Sequence, residues 1–203
     1  LAAAREIPRA DAGMKQGEWL KKQFEGIELN GKTLGIIGFG RIGMEVARRA
    51  AAFGMNVIIY DPNVAEHELV YGNAEPGSLQ ELFAWSDFIS LHLPLNVHTR
   101  DLLGPIAFSQ MKDGVRIIST ARGGIIDESA LLNALNSGKV AGAALDVFEK
   151  EPPGLTELVS HPRVIATPHI GAQTAEAQTR AAEDIANEVL AALREESLRW
   201  KVA

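Results

Sequence analysis

The chain of 203 residues has no cysteine. That absence excludes disulfides, thiolate zinc sites, iron–sulfur clusters and cysteine nucleophiles together. It agrees with a reducing compartment. No apolar run approaches the roughly 18 residues that span a bilayer. No basic, apolar, small-residue leader opens the chain, so a cytoplasmic location is expected. Basic residues are in deficit, with 20 Lys and Arg against 26 Asp and Glu and a net charge of -6. An acidic chain without a basic stripe is a poor binder of nucleic acid. Neither a nucleic acid nor a membrane is expected as a partner. No set of His, Asp and Glu has the spacing of metal ligands, so no metal is expected. The first residue is Leu1 and not Met, so an upstream part is expected to be missing.

What is present suits a globular protein. Apolar residues make up 46% and charged residues 23%, the balance of an ordinary folded domain. A chain of this length buries roughly 70% of its unfolded surface without staples. Residues 1–28 read as a helical entry segment. Leu1 to Ala4 and Met14 to Phe24 have helical composition, interrupted by Pro8, Gly13, Gly17 and Gly26. Trp19, Leu20 and Phe24 read as the buried side of a packing helix. Residues 29–203 read as a second, nucleotide-binding domain ending in a long helix.

From Thr33 onward short apolar runs alternate with helical stretches. The strand-like runs are Thr33 to Gly38, Asn56 to Asp61, Asp87 to His92, Val115 to Thr120, Val140 to Phe148 and Val164 to Thr167. Helices are expected over Arg41 to Phe53, Leu79 to Trp85 and Ile106 to Met111. Asp127 is placed to cap a helix through Asn136, with Gly138 closing it. Thr174 is placed to cap a final helix reaching towards Trp200. Its Ala181, Ile185, Val189 and Leu193 repeat every four residues as one apolar stripe. Strands that are apolar throughout, such as Leu34 to Ile37, suit a parallel sheet covered on both faces. The alternation predicts a doubly wound α/β fold.

Gly38-Phe39-Gly40-Arg41-Ile42-Gly43 matches G-x-G-x-x-G between a strand and a helix, the context that gives the motif meaning. Gly38 permits the tight turn, Gly40 the approach of a pyrophosphate, and Gly43 close helix–strand packing. The phosphates would be held by backbone N–H groups at the helix start. Asp61 ends the second strand, where a carboxylate bonds the adenosine ribose. No Arg or Lys follows in Pro62 to Glu66, so NAD is favoured over NADP. Together these features predict a Rossmann-type domain.

Ligands in such sheets bind outside the carboxyl ends of the strands. The third run ends in His92-Leu93-Pro94 and the fourth in Thr120-Ala121-Arg122-Gly123-Gly124. The fifth ends near Asp146, followed by Glu149, Lys150 and Glu151. The sixth ends in Thr167-Pro168-His169-Ile170-Gly171. Arg122 can clamp a carboxylate and polarise the adjacent carbonyl. His169 can pass a proton to or from an oxygen. A carboxylate beside it favours the protonated imidazole, and Glu151 is the candidate. Beside a nicotinamide this chemistry is hydride and proton transfer at a 2-hydroxy or 2-oxo acid. His92 reads as a packed strand-end residue; His67, His98 and His161 read as surface or loop histidines.

Those residues, with Leu29 to Gly35, Ala121 to Glu128 and Ala141 to Phe148, resemble the D-isomer-specific 2-hydroxyacid dehydrogenases. The resemblance runs from about Leu29 to His169 and into the final helix. It implies that Arg122, Glu151 and His169 are catalytic. It places cofactor contacts at Arg41, Ile42, Asp61, Leu93, Pro94, Thr120, Ala121, Asp146, Gly171 and Ala172, with Arg122 and His169 beside them. It implies a single nucleotide-binding domain whose substrate domain is missing, within a homo-oligomeric parent. The expected reaction is NAD-dependent oxidation of 3-phospho-D-glycerate in serine synthesis. The alternatives are a glyoxylate or hydroxypyruvate reductase and an NAD-sensing corepressor of the same fold.

Overall fold

The computed structural model describes residues 1–64 and 74–199. Their contacts separate into two units, Leu1–Pro168 and His169–Ala203, each described by itself. The first unit is built on a seven-stranded, wholly parallel sheet. Its strands are β1 (Thr33–Ile37), β2 (Asn56–Tyr60), β3 (Ala74–Pro76), β4 (Phe88–Leu91), β5 (Val115–Ser119), β6 (Val140–Leu145) and β7 (Val164–Ala166). The spatial order is β3-β2-β1-β4-β5-β6-β7, so the order reverses between β1 and β4. The doubly wound, Rossmann-type expectation holds.

The helices of this unit are α1 (Ala2–Arg5), α2 (Ile7–Lys15), α3 (Arg41–Ala52), α4 (Leu79–Trp85), α5 (Pro105–Gln110), α6 (Glu128–Ser137) and α7 (Glu157–Ser160). Their apolar sides cover both faces of the sheet. On one face Leu82, Phe108, Leu131 and Leu135 pack against Ile37, Ile89, Leu91 and Ile117. On the other, Ala47 and Ala50 of α3 and Ala4 of α1 join Leu34, Ile36, Val57 and Phe88. Double coverage explains why β4 is buried at all four residues, Ser90 included.

Helix ends follow the sequence signals. Asp127 accepts from Ala130 N at 2.9 Å, and Gly138 closes α6 in the left-handed region at φ 83°. Ser78 and Glu81 form a reciprocal capping box on α4.

Several expectations are corrected. The entry helix is α2, not Met14 to Phe24; Gly17 at φ 81° stops continuation. Pro8 does not break α2 because it lies in the first turn, where its missing N–H costs nothing. Trp19 is therefore not a core residue but is 77% exposed. β3 was not legible: it is three residues long, and Pro76 is tolerated because β3 is an edge strand. β6 ends at Leu145, three residues before Phe148.

In the second unit, α8 (Ala175–Leu193) starts at Thr174, which accepts from Ala177 N at 3.1 Å. It stops at Leu193, short of Trp200, which lies outside the described residues. The stripe on α8 is real in spacing but uncovered, with Ile185, Val189 and Leu193 all exposed. No helix among the described residues is long and apolar enough to cross a membrane.

Candidate active site

Strand register puts six strand-end residues, four of them predicted for the site, on one edge. Tyr60, Ile37, Leu91, Ser119, Leu145 and Ala166 are successive register partners across β2, β1, β4, β5, β6 and β7. The residue that follows each is Asp61, Gly38, His92, Thr120, Asp146 and Thr167. Backbone bonds carry the alignment one residue past the strands: Gly38 N donates to Tyr60 O, His92 N to Ile37 O, Asp146 N to Ser119 O and Thr167 N to Leu145 O. At about 4.8 Å per strand, Asp61 and Asp146 stand four spacings, roughly 19 Å, apart.

The glycine turn sits at the reversal of strand order. Gly38 adopts φ 94°, and a Cβ there would lie 2.4 Å from His92 O. Only glycine fits between the ends of β1 and β4. A Cβ on Gly43 would lie 2.2 Å from Gly38 O, so α3 can start against the turn only without one. Gly40 differs: a Cβ there would meet nothing within 4 Å. It is the N-cap of α3 and has no side chain to cap the helix start. Open space over the N-terminal turn of a helix suits a pyrophosphate. Arg41 and Ile42 follow on the exposed first turn, Ile42 being 66% exposed.

Asp61 has a second task that the sequence did not reveal. Its Oδ2 accepts from Phe39 N at 2.8 Å and its Oδ1 from Asn63 N at 2.9 Å. The carboxylate thus ties the end of β2 to the glycine turn, and each oxygen keeps a lone pair for a ribose hydroxyl. Beside it opens a cleft of about 460 Å³, bordered by Asp61, Pro62, Val64, Pro76, Gly77 and Glu81.

Next along the edge, His92 Nε2 lies 2.8 Å from Ser90 Oγ. Burial pushes its imidazole down to about 4, so it is neutral at neutral pH. Leu93 and Pro94 continue from it into the loop. Thr120 is exposed, Ala121 buried and Arg122 exposed. Arg122 Nη1 donates to Ala121 O at 2.6 Å. The loop that carries it is pressed onto the next strand end, since a Cβ on Gly123 would lie 1.8 Å from Phe148 O.

Asp146 is 5% exposed and accepts from Thr167 Oγ1 at 2.6 Å. Glu151 Oε1 accepts from Phe148 N at 3.1 Å, which folds the carboxylate back on its own loop. His169, Gly171 and Ala172 fall in the second unit. His169 takes φ 54°, a left-handed conformation uncommon for a residue with a Cβ and concentrated at functional sites. His98 and His161 lie in loops, and His67 lies outside the described residues. Among the described residues no cluster of His, Asp and Glu could hold a metal ion.

The model for the D-isomer specific 2-hydroxyacid dehydrogenase, NAD binding domain, matches residues 1–171. The chain belongs to this family, as its NAD-binding domain, and its cofactor is NAD. D-3-phosphoglycerate dehydrogenase of Homo sapiens is 50% identical over 198 residues, covering 98% of this chain and 37% of that protein. Hydroxypyruvate reductase of Thermotoga maritima is 53% identical over 192 residues, covering 93% of this chain and 62% of that one. The crystal structure of a glyoxylate reductase from Paecilomyes thermophila superposes with a TM-score of 0.93 at 45% identity, over 99% of this chain and 61% of that one. The chain thus spans little more than a third of the phosphoglycerate dehydrogenase it matches.

Proposed function

We propose that this chain is the cofactor-binding and catalytic domain of a dehydrogenase that oxidises 3-phospho-D-glycerate to 3-phosphohydroxypyruvate, the reaction that opens serine synthesis. The observation that carries the substrate is the 50% identity to D-3-phosphoglycerate dehydrogenases over nearly the whole chain. A second reading, reduction of hydroxypyruvate or glyoxylate, is favoured by the 53% identity to a hydroxypyruvate reductase and by the glyoxylate reductase structure. Both readings use the same residues in opposite directions.

The glycine turn holds the pyrophosphate on the backbone N–H groups of α3, and Asp61 holds the adenosine ribose. Leu93, Pro94, Thr120 and Ala121 border the path between them and the reacting end, with Asp146 at the nicotinamide amide. The family resemblance adds Gly171 and Ala172 to the cofactor contacts. Bound NAD supplies the hydride acceptor for C2 of the substrate. Arg122 pairs with the substrate carboxylate and draws charge from the adjacent carbon. As the C2 hydride leaves, the 2-hydroxyl proton passes to the His169 imidazole; in reduction His169 returns it. Glu151 favours the protonated form of that imidazole.

The test is a 2-hydroxy acid panel, including 3-phosphoglycerate, glycerate and glycolate, run with NAD on the full-length parent. A kcat/KM highest for 3-phosphoglycerate supports the first reading. A parent that ignores 3-phosphoglycerate and turns over the unphosphorylated acids supports the second.

A further inference from the structure

The adenosine end of the edge carries two carboxylates, not one. Glu81 lies in the first turn of α4 and borders the same cleft as Asp61. Its position is fixed. Oε2 accepts from Ser78 N at 2.9 Å and from Ser78 Oγ at 2.7 Å, while Glu81 N donates back to Ser78 Oγ at 3.2 Å. A Cβ on Gly77 would lie 3.8 Å from that oxygen, so the carboxylate rests beside the floor of the cleft. The two bonds from Ser78 hold its carboxyl below the usual carboxylate range, and it is charged at neutral pH.

The sequence from Asp61 to Glu81 contains no lysine or arginine. The described residues bordering the cleft include no cation. Each Asp61 oxygen receives a backbone N–H, from Phe39 and from Asn63, whereas Glu81 takes both bonds from Ser78 on Oε2. Both charges are therefore partly answered by the fold, and neither by a cation among the described residues of the cleft.

We propose that Glu81 is a second cofactor-specificity residue, which acts with Asp61 to exclude the 2′-phosphate of NADP. The inference rests on the reading of the cleft as the adenosine site of NAD. Removing Asp61 alone then leaves a carboxylate facing any 2′-phosphate. The interaction is through water and solvent-exposed, so it is modest and falls with salt. Repulsion across water between an exposed carboxylate and a doubly charged phosphate corresponds to roughly three- to tenfold in affinity.

The experiment is fluorescence titration of the 203-residue chain with NADH and with NADPH, at low and at high salt. The variants are Glu81→Gln, Asp61→Asn and the pair. Glutamine preserves the capping box, and a thermal melt checks that α4 is intact. Glu81→Gln is expected to tighten NADPH about three- to tenfold, to leave NADH within about twofold, and to lose this gain at high salt. The pair is expected to bind NADPH more tightly than Asp61→Asn alone. An unchanged ratio of NADPH to NADH affinity in both backgrounds overturns the role of Glu81 while NADH binding still supports the NAD site. Failure of the unaltered chain to bind NADH overturns the site itself.

Discussion

Replacing Asp61 by alanine should produce two separable losses, because the carboxylate serves both the fold and the ligand. The first is structural. Phe39 is 5% exposed, and its N–H donates to Asp61 Oδ2 at 2.8 Å. Without that acceptor a buried donor goes unpaired, which costs about 1–3 kcal/mol. For a chain of this size each kcal/mol lowers Tm by about 2–4 °C, so the unliganded variant should melt roughly 2–12 °C lower. Asn63 N, at the exposed end of the turn, can turn to water and adds little. The second loss concerns binding. A hydrogen bond from a ribose hydroxyl to a charged acceptor contributes about 1.5–3 kcal/mol, or roughly 10- to 150-fold in Kd. NADH should weaken by that order and the gap to NADPH should narrow. Asp61→Asn separates the effects: its amide oxygen can still accept from Phe39 N, so most of the thermal loss should return while NADH binding stays weakened. Differential scanning calorimetry without ligand and fluorescence titration with NADH read the two terms. An alanine variant that melts like the unaltered chain would refute the structural argument, and one with unchanged NADH affinity would refute the ribose contact.

Gly43→Ala should prevent α3 from seating on the turn, because the new Cβ would lie 2.2 Å from Gly38 O; loss of NADH binding together with a lowered Tm is expected, and a variant that binds normally would contradict the close approach. His92 gives a pH dependence. Its imidazole stands at about 4 when folded against 6.5 when free, so the unfolded chain takes up the proton first. Stability should therefore fall as pH drops from about 6.5 to 4, by at most about 3 kcal/mol before discounting for partial exposure; urea melts at pH 7 and pH 5 should show less of this slope in His92→Gln, and an identical slope would remove His92 as its source. The chain alone should bind NADH but turn over little 3-phosphoglycerate, since positioning that contributes roughly 7–11 kcal/mol needs both walls of a substrate crevice; turnover near the full-length parent's rate would defeat this. In that parent, His169→Asn should cut kcat by at least about 100-fold while the Kd for NADH holds, and a kcat near the unaltered value would remove the proton-transfer role.

The parts of the fold legible in the sequence are those whose signal is local. Buried parallel strands announce themselves as apolar runs, and Ile36 and Ile37 of β1, both buried, belong to one such run. Caps announce themselves by type and position, as Asp127, Gly138 and Thr174 did. β3 did not, because a three-residue edge strand has neither length nor apolar period, and its Glu-Pro composition argues for a loop. The entry segment was misread for a related reason. Trp19, Leu20 and Phe24 are apolar, but Gly17 at positive φ ends the α-helical path before them, and only a single 3-10 turn, Lys21–Gln23, follows. Composition showed a stripe there and backbone geometry denied it. The site divides the same way. The glycines and Asp61 are a contiguous pattern with a known spacing. The bond from Phe39 to Asp61 and the approach of Glu81 to the same cleft join segments 20 or so residues apart, and no spacing rule encodes them.

The strand-end residues were legible for a different reason, which lies in the sheet. Gly38, Asp61, His92, Thr120, Asp146 and Thr167 have no regular separation in the chain. What they share is position relative to the last register pair of a parallel strand. In a wholly parallel sheet every strand ends on the same edge, so the residue after each apolar run is placed there whatever the length of the helix between. The strand ends set which side chains stand on this edge. Finding the ends of the apolar runs was therefore enough to find this edge. Errors in run length matter little there, because the site depends on the first residue that leaves the ladder. The run at β6 illustrates the tolerance: it was read to Phe148 and ends at Leu145, yet Asp146 remained on the edge because its N–H still bonds Ser119 O.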